Sequence, residues 1–494
     1  MIEAQYTVTD HIAVITLHNP PVNGLGFELR KSLLEKLNRA HSDKDVQAIL
    51  LIGANDVFCA GADIRQMNTQ QYWTYPRTID LAKVLDNIPK LSVAIIGKFA
   101  MGGGMELALG CHYRMCWSNS KLAQPEINLG LLPGGGGVLR LPRLLGLETA
   151  SHMLLNGQTV NGEAALKIGL VDALAPQSTQ QFLIDSGLAW TRKLLNEAYP
   201  LRRICEMSIQ SDNSENLFNE LKKTYCKPSA GLAPRVIVNS LEQVMVKSFE
   251  EMHIVSDQAT AQLMSSVESE ALRYLFFAQR DALKVDHAVT QSIKKLLSIH
   301  WCGANDEKCL DFLQKNSIQC EYISSDINHD ASSLGSDVLI RSHNHSNLVE
   351  LVTEHQNHPT TNQLIKELKH QNKIPIYSKR MSSSLIQPML EAFLNSYKDL
   401  LHKGLDAQQF QQNLHLWGFE LTMPTSPVQP CDGQSSISFE QAMQAMLKSI
   451  VQQGTQLISL GHALHKSDLD LVWVCAYRFP AFLGGPFFKA QSAS

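Results

Sequence analysis

The sequence predicts an α/β fold at its start and a helical region after it. Two apolar runs, AILLIGA at 48–54 and LSVAIIG at 91–97, have the length and composition of strands that are buried on both faces. Each run leads into a glycine-bearing segment. Over residues 198–286 the apolar side chains recur instead at helical spacing. Strands and helices therefore alternate in the first part of the chain, and helices follow one another in the next.

The remaining elements of the first part follow from local composition. Residues 5–17 alternate around a turn at Thr9-Asp10, which predicts two short strands. The pair Pro20-Pro21 imposes an extended connection, and residues 27–43 then carry leucines at helical spacing. We therefore expect a strand pair, a helix and then the first buried strand.

The composition describes an ordinary globular protein. Its 494 residues are 44% hydrophobic and 18% charged, with a formal net charge of −4, and a chain of this length forms two or three domains. Because no strong charge bias favours a polyanion, nucleic acid is not expected as a partner. The ten cysteines show neither CxxC pairs nor metal-ligand spacing, which indicates reduced thiols and no metal site.

The sequence carries no signal for a membrane or an organelle. No apolar run approaches the length of a bilayer span. The first residues lack the pattern of a secretory signal, and the last residues, FFKAQSAS, do not match a peroxisomal signal. We therefore expect a cytoplasmic location.

Two carboxylates stand beside glycine-rich backbone in the stretch 97–137. Three glycines at 102–104 run into the helix-forming segment MELALG, where exposed amides at a helix N-terminus favour negative charge. Glu106 lies one turn inside this helix, and Glu126 follows about twenty residues later. If the fold brings them together, they form an acid/base pair. The alternative is a turn with one helix-dipole partner and one loop charge.

Four blocks stand in a fixed order within the first 190 residues. They are FCAGADI at 58–64, AMGGGMELALGCHYR at 100–114, LAQPEINLGLLPGGGG at 122–137 and LLNGQTVNGEAALKIGLVD at 154–172. Together they resemble the enoyl-CoA hydratase/isomerase (crotonase) superfamily. The resemblance implies a coiled stack of β-β-α units.

The resemblance also implies roles for individual residues. The amides of Ala62 and Gly103 would hold the thioester oxygen, and a Cβ at position 103 would crowd that oxygen. Glu106 and Glu126 would activate the water that adds across the α,β double bond, one as base toward C3 and one delivering a proton to C2. The loop with the first amide would also bind CoA, through Ala60, Ala62, Asp63 and Ile64.

The rest of the chain resembles multifunctional fatty-acid oxidation enzymes. The helical region at 198–286 is similar to their linking region, and SDLDLVWVCAYRFPAFLGGPFF at 467–488 is similar to the helical end of their 3-hydroxyacyl-CoA dehydrogenase half. The resemblance implies a crotonase-like domain, a helical linking region, a truncated Rossmann-like remnant and an all-α C-terminal dehydrogenase-like domain. The predicted boundaries are 1–197, 198–295, 296–380 and 381–494.

The nucleotide-binding part departs from its family pattern. Residues 298–326 keep the outline strand, turn, helix, strand and terminal Asp326. Asn305 and Lys308 stand where the fingerprint needs glycine, so their side chains block the backbone from the pyrophosphate, and Glu307 adds a repelling charge. NAD binding is therefore not expected.

The catalytic pair of the dehydrogenase is also incomplete. The resemblance places its histidine position at about Val338, while the partner glutamate remains as Glu350. His343 and His345 are out of register with that position. We therefore expect the dehydrogenase half to be inactive and kept as a structural partner.

The sequence thus predicts a 2-enoyl-CoA hydratase with Δ3-Δ2-enoyl-CoA isomerase activity in fatty-acid β-oxidation or a related acyl-CoA pathway. Two carboxylates serve hydration, whereas isomerisation needs a single base. No cofactor or metal is expected, and the implied partners are an acyl-CoA substrate, a thiolase or a second copy of the chain. Two alternatives stay open: a bifunctional enzyme with an NAD-dependent dehydrogenase, and a scaffold that binds acyl-CoA without turnover.

Overall fold

The structure is a computed structural model that divides into two compact units, residues 1–269 and 270–494. The described residues are 2–176, 179–209, 214–283, 299–303, 320–324, 338–342, 346–352, 359–378, 384–419, 421–424 and 437–492. Most of the predicted linking region falls within the first unit. The four domain boundaries predicted from the sequence stay predictions.

Strands of the first unit form two sheets. The strands are β1 (Glu3–Thr9), β2 (Ile12–His18), β3 (Ala48–Gly53), β4 (Leu91–Ile96), β5 (Phe99–Met101), β6 (Tyr113–Trp117), β7 (Lys121–Ala123), β8 (Val160–Asn161) and β9 (Ala173–Ala175). The larger sheet has the order β1-β2-β3-β4-β6-β9, and all its pairs are parallel except β1 with β2. The smaller sheet has the order β5-β7-β8.

The first unit contains helices on both faces of the larger sheet and further helices that pack against these. They are α1 (Phe27–Ser42), α2 (Gln70–Trp73), α3 (Thr78–Asn87), α4 (Gly103–Gly110), α5 (Gly137–Leu145), α6 (Leu147–Asn156), α7 (Gly162–Lys167), α8 (Gln180–Asn196), α9 (Ser214–Tyr225), α10 (Ala233–Val244) and α11 (Phe249–Met264). The helix α12 (Val267–Ala282) follows.

The two buried strands predicted from the sequence are confirmed. Both β3 and β4 are buried along their whole length. Their side chains alternate between two cores: Ile49 and Leu51 belong to one, and Leu50 and Ile52 to the other. This double burial explains why both strands appear in the sequence as unbroken apolar runs.

Two local predictions were slightly wrong. The β1–β2 turn is centred on Asp10 and His11, one residue later than predicted, and both residues have positive φ. That conformation fits the right-handed twist of a two-residue hairpin. The second buried strand does not lead straight into the triple glycine, because β5 lies between them. This short strand pairs with β7 and so connects the two glutamate-bearing segments.

The second unit contains a mixed sheet. Its strands are β10 (Ile299–Gly303), β11 (Cys320–Ser324), β12 (Val338–Ser342), β13 (Leu348–Val352) and β14 (Ile374–Ser378). Their order is β11-β10-β12-β13-β14, with β12 and β13 antiparallel and the other pairs parallel. Asn305, Glu307, Lys308, Asp326, His343 and His345 lie outside the described residues, so the fingerprint predictions stay predictions.

Helices make up the rest of the second unit. They are α13 (Pro359–His370), α14 (Ile386–His402), α15 (Ala407–Leu416), α16 (Phe439–Ser459), α17 (Lys466–Tyr477) and α18 (Pro486–Ser492). Their core is rich in aromatic rings, and Trp473 lies 5.6 Å from Phe393 and 6.2 Å from Phe419 between ring centroids. Within the described part of the chain, no helix combines the length and the apolar character that a bilayer span requires.

Candidate active site

The helix α4 begins at a glycine turn that approaches Glu126. Gly102 has a positive φ of 51°, and a Cβ placed on it would lie 2.7 Å from Glu126 Oε1. The Gly102 amide donates to the carbonyl of Ala123, at 2.9 Å, in the strand that precedes Glu126. Glycine is therefore required here both by the backbone conformation and by the closeness of the carboxylate.

The two predicted oxyanion-hole amides lie next to each other. A Cβ placed on Gly103 would lie 3.2 Å from the Ala62 nitrogen, and one placed on Gly61 would lie 3.2 Å from the Gly103 nitrogen. Among the described residues, neither the Ala62 nor the Gly103 amide donates to another backbone group. Two adjacent free donors of this kind suit a negatively charged oxygen.

Backbone hydrogen bonds hold the loop of the first amide in place. The Leu25 amide donates to Gly61 at 2.8 Å, and the Met101 amide donates to Cys59 at 3.0 Å. The first bond ties the loop after β3 to the segment that precedes α1, and the second ties it to β5, just before α4. The two amides therefore belong to one braced backbone assembly, although they are about forty residues apart in the sequence.

Glu106 lies buried against the glycine turn at 134–137. Its Oε1 accepts a hydrogen bond of 2.8 Å from the Gly137 amide, and a Cβ on Gly135 would lie 2.4 Å from its Oε2. Burial raises the pKa of Glu106 to about 7, while the Gly137 amide, the Arg140 charge and the Gly135 amide act in the opposite direction. Glu106 can therefore hold or release a proton near neutral pH.

Glu126 has weaker support for a negative charge. Oriented so that its nitrogen faces the carboxylate, the Gln124 amide donates to Oε2 and Oε1 of Glu126 at 3.1 and 3.2 Å. Burial of the carboxyl group raises the pKa of Glu126 well above its usual range, and the charge of Glu106 raises it further. Two buried carboxyl groups whose surroundings differ in this way can act as one proton acceptor and one proton donor.

The predicted CoA-binding residues form the segment after β3. The Ala60 amide donates to Val22 at 2.9 Å. Asp63 caps the short 3₁₀ turn Ile64–Gln66 and forms a 2.9 Å ion pair with Arg65, which lowers the pKa of the Asp63 carboxyl. This pairing is local to the turn, and CoA binding by these residues stays a prediction.

Several residues near the carboxylates were not singled out from the sequence. Tyr72 lies in α2, and burial together with the charge of Glu106 raises the pKa of its phenol, so it remains protonated. Arg30 fixes this helix, since its guanidinium donates to the carbonyls of Tyr72 at 3.0 Å and Gln71 at 2.6 Å. No local motif marks these residues, because their role depends on contacts across some forty positions.

Arg140 and Asp86 form a buried ion pair behind the glycine turn. Their side chains are 0% and 3% exposed. A weak signal for Arg140 exists in the sequence, since a charged residue stands one turn after four glycines inside an apolar helix. Asp86 has no comparable signal.

His112 has a structural role. Its ring is buried, and Nδ1 accepts a 3.0 Å hydrogen bond from the Ser92 amide. Burial lowers the pKa of His112 to about 4, so the ring is neutral near pH 7. It therefore supports the packing of the sheet rather than the chemistry of the carboxylates.

The helix α11 also supports the site, although it lies in the predicted linking region. A Cβ placed on Gly134 would lie 2.6 Å from Thr260 Oγ1. Asp257 forms a 2.8 Å ion pair with Arg77, which precedes α3. The Phe249 ring lies 5.2 Å from the guanidinium carbon of Arg140. These contacts make α11 a structural part of the first unit.

The two positions predicted for the catalytic pair of the dehydrogenase, Val338 and Glu350, are both buried in the second unit. Val338 is buried at the start of β12. Glu350 is buried at 3.6 Å from Arg341, and it accepts hydrogen bonds from Ser378 Oγ at 2.7 Å and the Leu385 amide at 3.2 Å. The Glu350 carboxylate is therefore engaged by its own neighbours.

Comparison with known proteins gives one matching family and a set of longer relatives. The profile of the family described as Enoyl-CoA hydratase/isomerase matches residues 7–224. The chain is 35% identical over 275 residues to the Peroxisomal bifunctional enzyme of Danio rerio, covering 55% of this chain and 37% of that one. The human protein of the same name is 34% identical over 289 residues, covering 57% and 39%.

A bacterial relative gives a similar match. The Fatty acid oxidation complex subunit alpha of Shewanella sp. (strain MR-4) is 33% identical over 305 residues, covering 58% of this chain and 42% of that one. The matched stretch spans less than half the length of each of these relatives.

Proposed function

We propose that this chain, whose residues 7–224 match the profile of the Enoyl-CoA hydratase/isomerase family, is a 2-enoyl-CoA hydratase that also isomerises 3-enoyl-CoA thioesters. The observation that carries the proposal is the pair Glu106 and Glu126, two coupled carboxyl groups in different surroundings beside two free amides. Hydration needs a base, an acid and an oxyanion site, and this site can supply all three.

The different surroundings of Glu106 and Glu126 support a different role for each carboxyl group. Glu106, supported by two backbone amides and a cation, accepts a proton from water as the water oxygen bonds to C3. The electron pair of the double bond moves toward the thioester oxygen, where the amides of Ala62 and Gly103 stabilise the developing charge. Glu126, whose pKa is raised well above its usual range by burial and by the charge of Glu106, delivers a proton to C2. After the addition Glu106 carries the proton from water and Glu126 is ionised, so transfer of that proton from Glu106 to Glu126 restores the starting state.

Isomerisation uses one of the two carboxylates and the same oxyanion site. One carboxylate removes a proton from C2 of a 3-enoyl thioester, the oxyanion site holds the resulting enolate, and the proton returns at C4. Because no water is consumed, only one carboxylate is needed. A 3-enoyl-CoA substrate should therefore give a 2-enoyl-CoA product, and failure of this conversion with hydration intact would restrict the enzyme to hydration.

Crotonyl-CoA provides the direct test of the proposed function. We expect the purified chain to remove the absorbance of the enoyl thioester and to form 3-hydroxybutyryl-CoA. The control is the double variant Glu106→Gln/Glu126→Gln, which keeps the size of both side chains. A folded wild-type chain that binds crotonyl-CoA without turnover would support the scaffold alternative instead.

We also propose that the second unit has no dehydrogenase activity. An apolar residue, Val338, stands at the expected base position, and the Glu350 carboxylate is paired with Arg341. Hydride transfer from a 3-hydroxyacyl-CoA requires a base for the hydroxyl proton, and valine cannot accept one.

Calorimetry and an oxidation assay test this absence. Titration of the full chain with NAD or NADH should give no binding heat, and 3-hydroxybutyryl-CoA with NAD should give no NADH. Micromolar binding accompanied by turnover would establish the bifunctional alternative.

The biological setting follows from the same relatives. Their names concern fatty-acid oxidation and peroxisomes, and we infer a role in fatty-acid β-oxidation for this chain. The cytoplasmic location, the absence of a cofactor, and partnership with a thiolase or a second copy stay predictions. Cell fractionation and light scattering address the location and the oligomeric state.

A further inference from the structure

Arg140 packs directly against the backbone of the turn that holds Glu106. A Cβ placed on Gly136 would lie 2.0 Å from Arg140 Nη1, and the same nitrogen lies 3.5 Å from the Gly136 carbonyl oxygen. The amide of Gly137, the next residue, donates to Glu106 at 2.8 Å. The guanidinium therefore contacts the same turn that holds the Glu106 carboxylate.

Neighbouring elements fix the guanidinium from two further directions. Arg140 Nη2 donates to Asp86 Oδ2, and Nε lies 3.5 Å from Oδ1. The Phe249 ring covers the group, with the guanidinium carbon 5.2 Å from the ring centroid. Because Arg140 is fully buried, its side chain cannot turn to solvent when Glu106 changes its charge.

The arginine distinguishes the two carboxyl groups of the site. Glu106 has a cation among the groups that favour its ionised form, whereas Glu126 has the neutral Gln124 amide beside it. Both carboxyl groups are desolvated, so burial alone would leave both protonated. A fixed cation next to only one of them breaks this symmetry.

Resting on the proposed function, we propose that Arg140 is a positioning residue for Glu106: fixed by Asp86, it holds the glycine turn against the Glu106 carboxylate and makes Glu106 the base of the pair. The groups that bear on this charge come from six elements. They are Glu106 on α4, Tyr72 on α2, Asp86 on α3, Arg140 on α5, His253 on α11 and Glu126 in the turn Glu126–Leu129.

The variant Arg140→Met tests the proposal through the pH profile of kcat/KM for crotonyl-CoA. Loss of the cation favours protonated Glu106, so the base becomes available only at higher pH. We expect the acidic limb to move up by about one pH unit or more, with about a tenfold loss at pH 7 and recovery toward pH 9. KM should change little. In Arg140→Lys, which keeps a cation at this position, the acidic limb of the profile should lie close to its wild-type pH.

Arg143 provides a matched control one turn further along α5. Its guanidinium also lies over Phe249, at 5.0 Å, but it donates to Leu139 of its own helix at 2.7 Å. Arg143→Met should leave the acidic limb in place. A merely structural role for Arg140 would lower activity equally at all pH values, and that result would overturn the proposal.

A second variant and a second measurement test the role of Arg140 independently of the first. Asp86→Asn removes the counter-charge but keeps Arg140, so the acidic limb should move to lower pH. Infrared titration of the carboxyl bands, with Glu106→Gln to assign the Glu106 band, follows the same charge without turnover. An inactive wild-type chain would end the proposed function, whereas an unchanged Glu106 titration in Arg140→Met would end this inference.

Discussion

Replacing Glu106 or Glu126 by glutamine is expected to lower kcat for crotonyl-CoA hydration by about 10²-fold to 10⁴-fold, the usual scale for a positioned acid or base. Glutamine keeps the shape of the side chain but can neither take a proton from water nor deliver one to C2. In Glu106→Gln the amides of Gly135 and Gly137 lose a charged acceptor. In Glu126→Gln the proton donor is missing while Glu106 remains ionisable.

The measurement is the initial rate of enoyl absorbance loss at saturating substrate. Glu148→Gln is the matched control, because Glu148 also lies in the first turn of a helix but is exposed to solvent. That variant should keep the wild-type rate. Circular dichroism should give the same spectrum for all variants, and a near-wild-type rate in Glu106→Gln or Glu126→Gln would contradict the proposed role of that residue.

Gly103→Val is expected to abolish turnover. The Cβ alone would lie 3.2 Å from the Ala62 amide nitrogen and 3.6 Å from Leu25 Cδ1. The two methyl groups of valine would therefore occupy the space between the two oxyanion amides, where the thioester oxygen must enter. Loss of even one such donor costs about 3 kcal/mol in the barrier, and valine obstructs both.

Gly103→Ala tests the same prediction with a smaller side chain. Its single methyl group should lower kcat less than valine does, because the neighbouring loop can yield by a few tenths of an ångström. Binding of a saturated acyl-CoA, measured by calorimetry, separates a blocked oxyanion site from general misfolding. Normal hydration by Gly103→Val would show that the oxyanion site lies elsewhere.

The sequence by itself predicted the buried strands of the first part and singled out the two candidate carboxylates. The strands β3 and β4 could be predicted because burial on both faces forces an unbroken apolar run. Glu106 and Glu126 could be singled out because carboxylates are rare beside glycine-rich backbone in apolar surroundings. The glycines at 102–104 marked the same site, since close approach of the backbone to a carboxylate or an oxyanion excludes a Cβ.

Only the tertiary structure decided how the two carboxylates differ. The pairing of Arg140, one turn after the glycines, with Asp86 joins two helices through residues that are 54 positions apart in the sequence. Tyr72 and Arg30 are likewise brought to the site by packing between distant elements. Periodicity and local motifs encode which face of a helix or strand is buried, but the pKa of a buried carboxyl group depends on every charge and amide around it, and those neighbours are fixed only when the chain has folded.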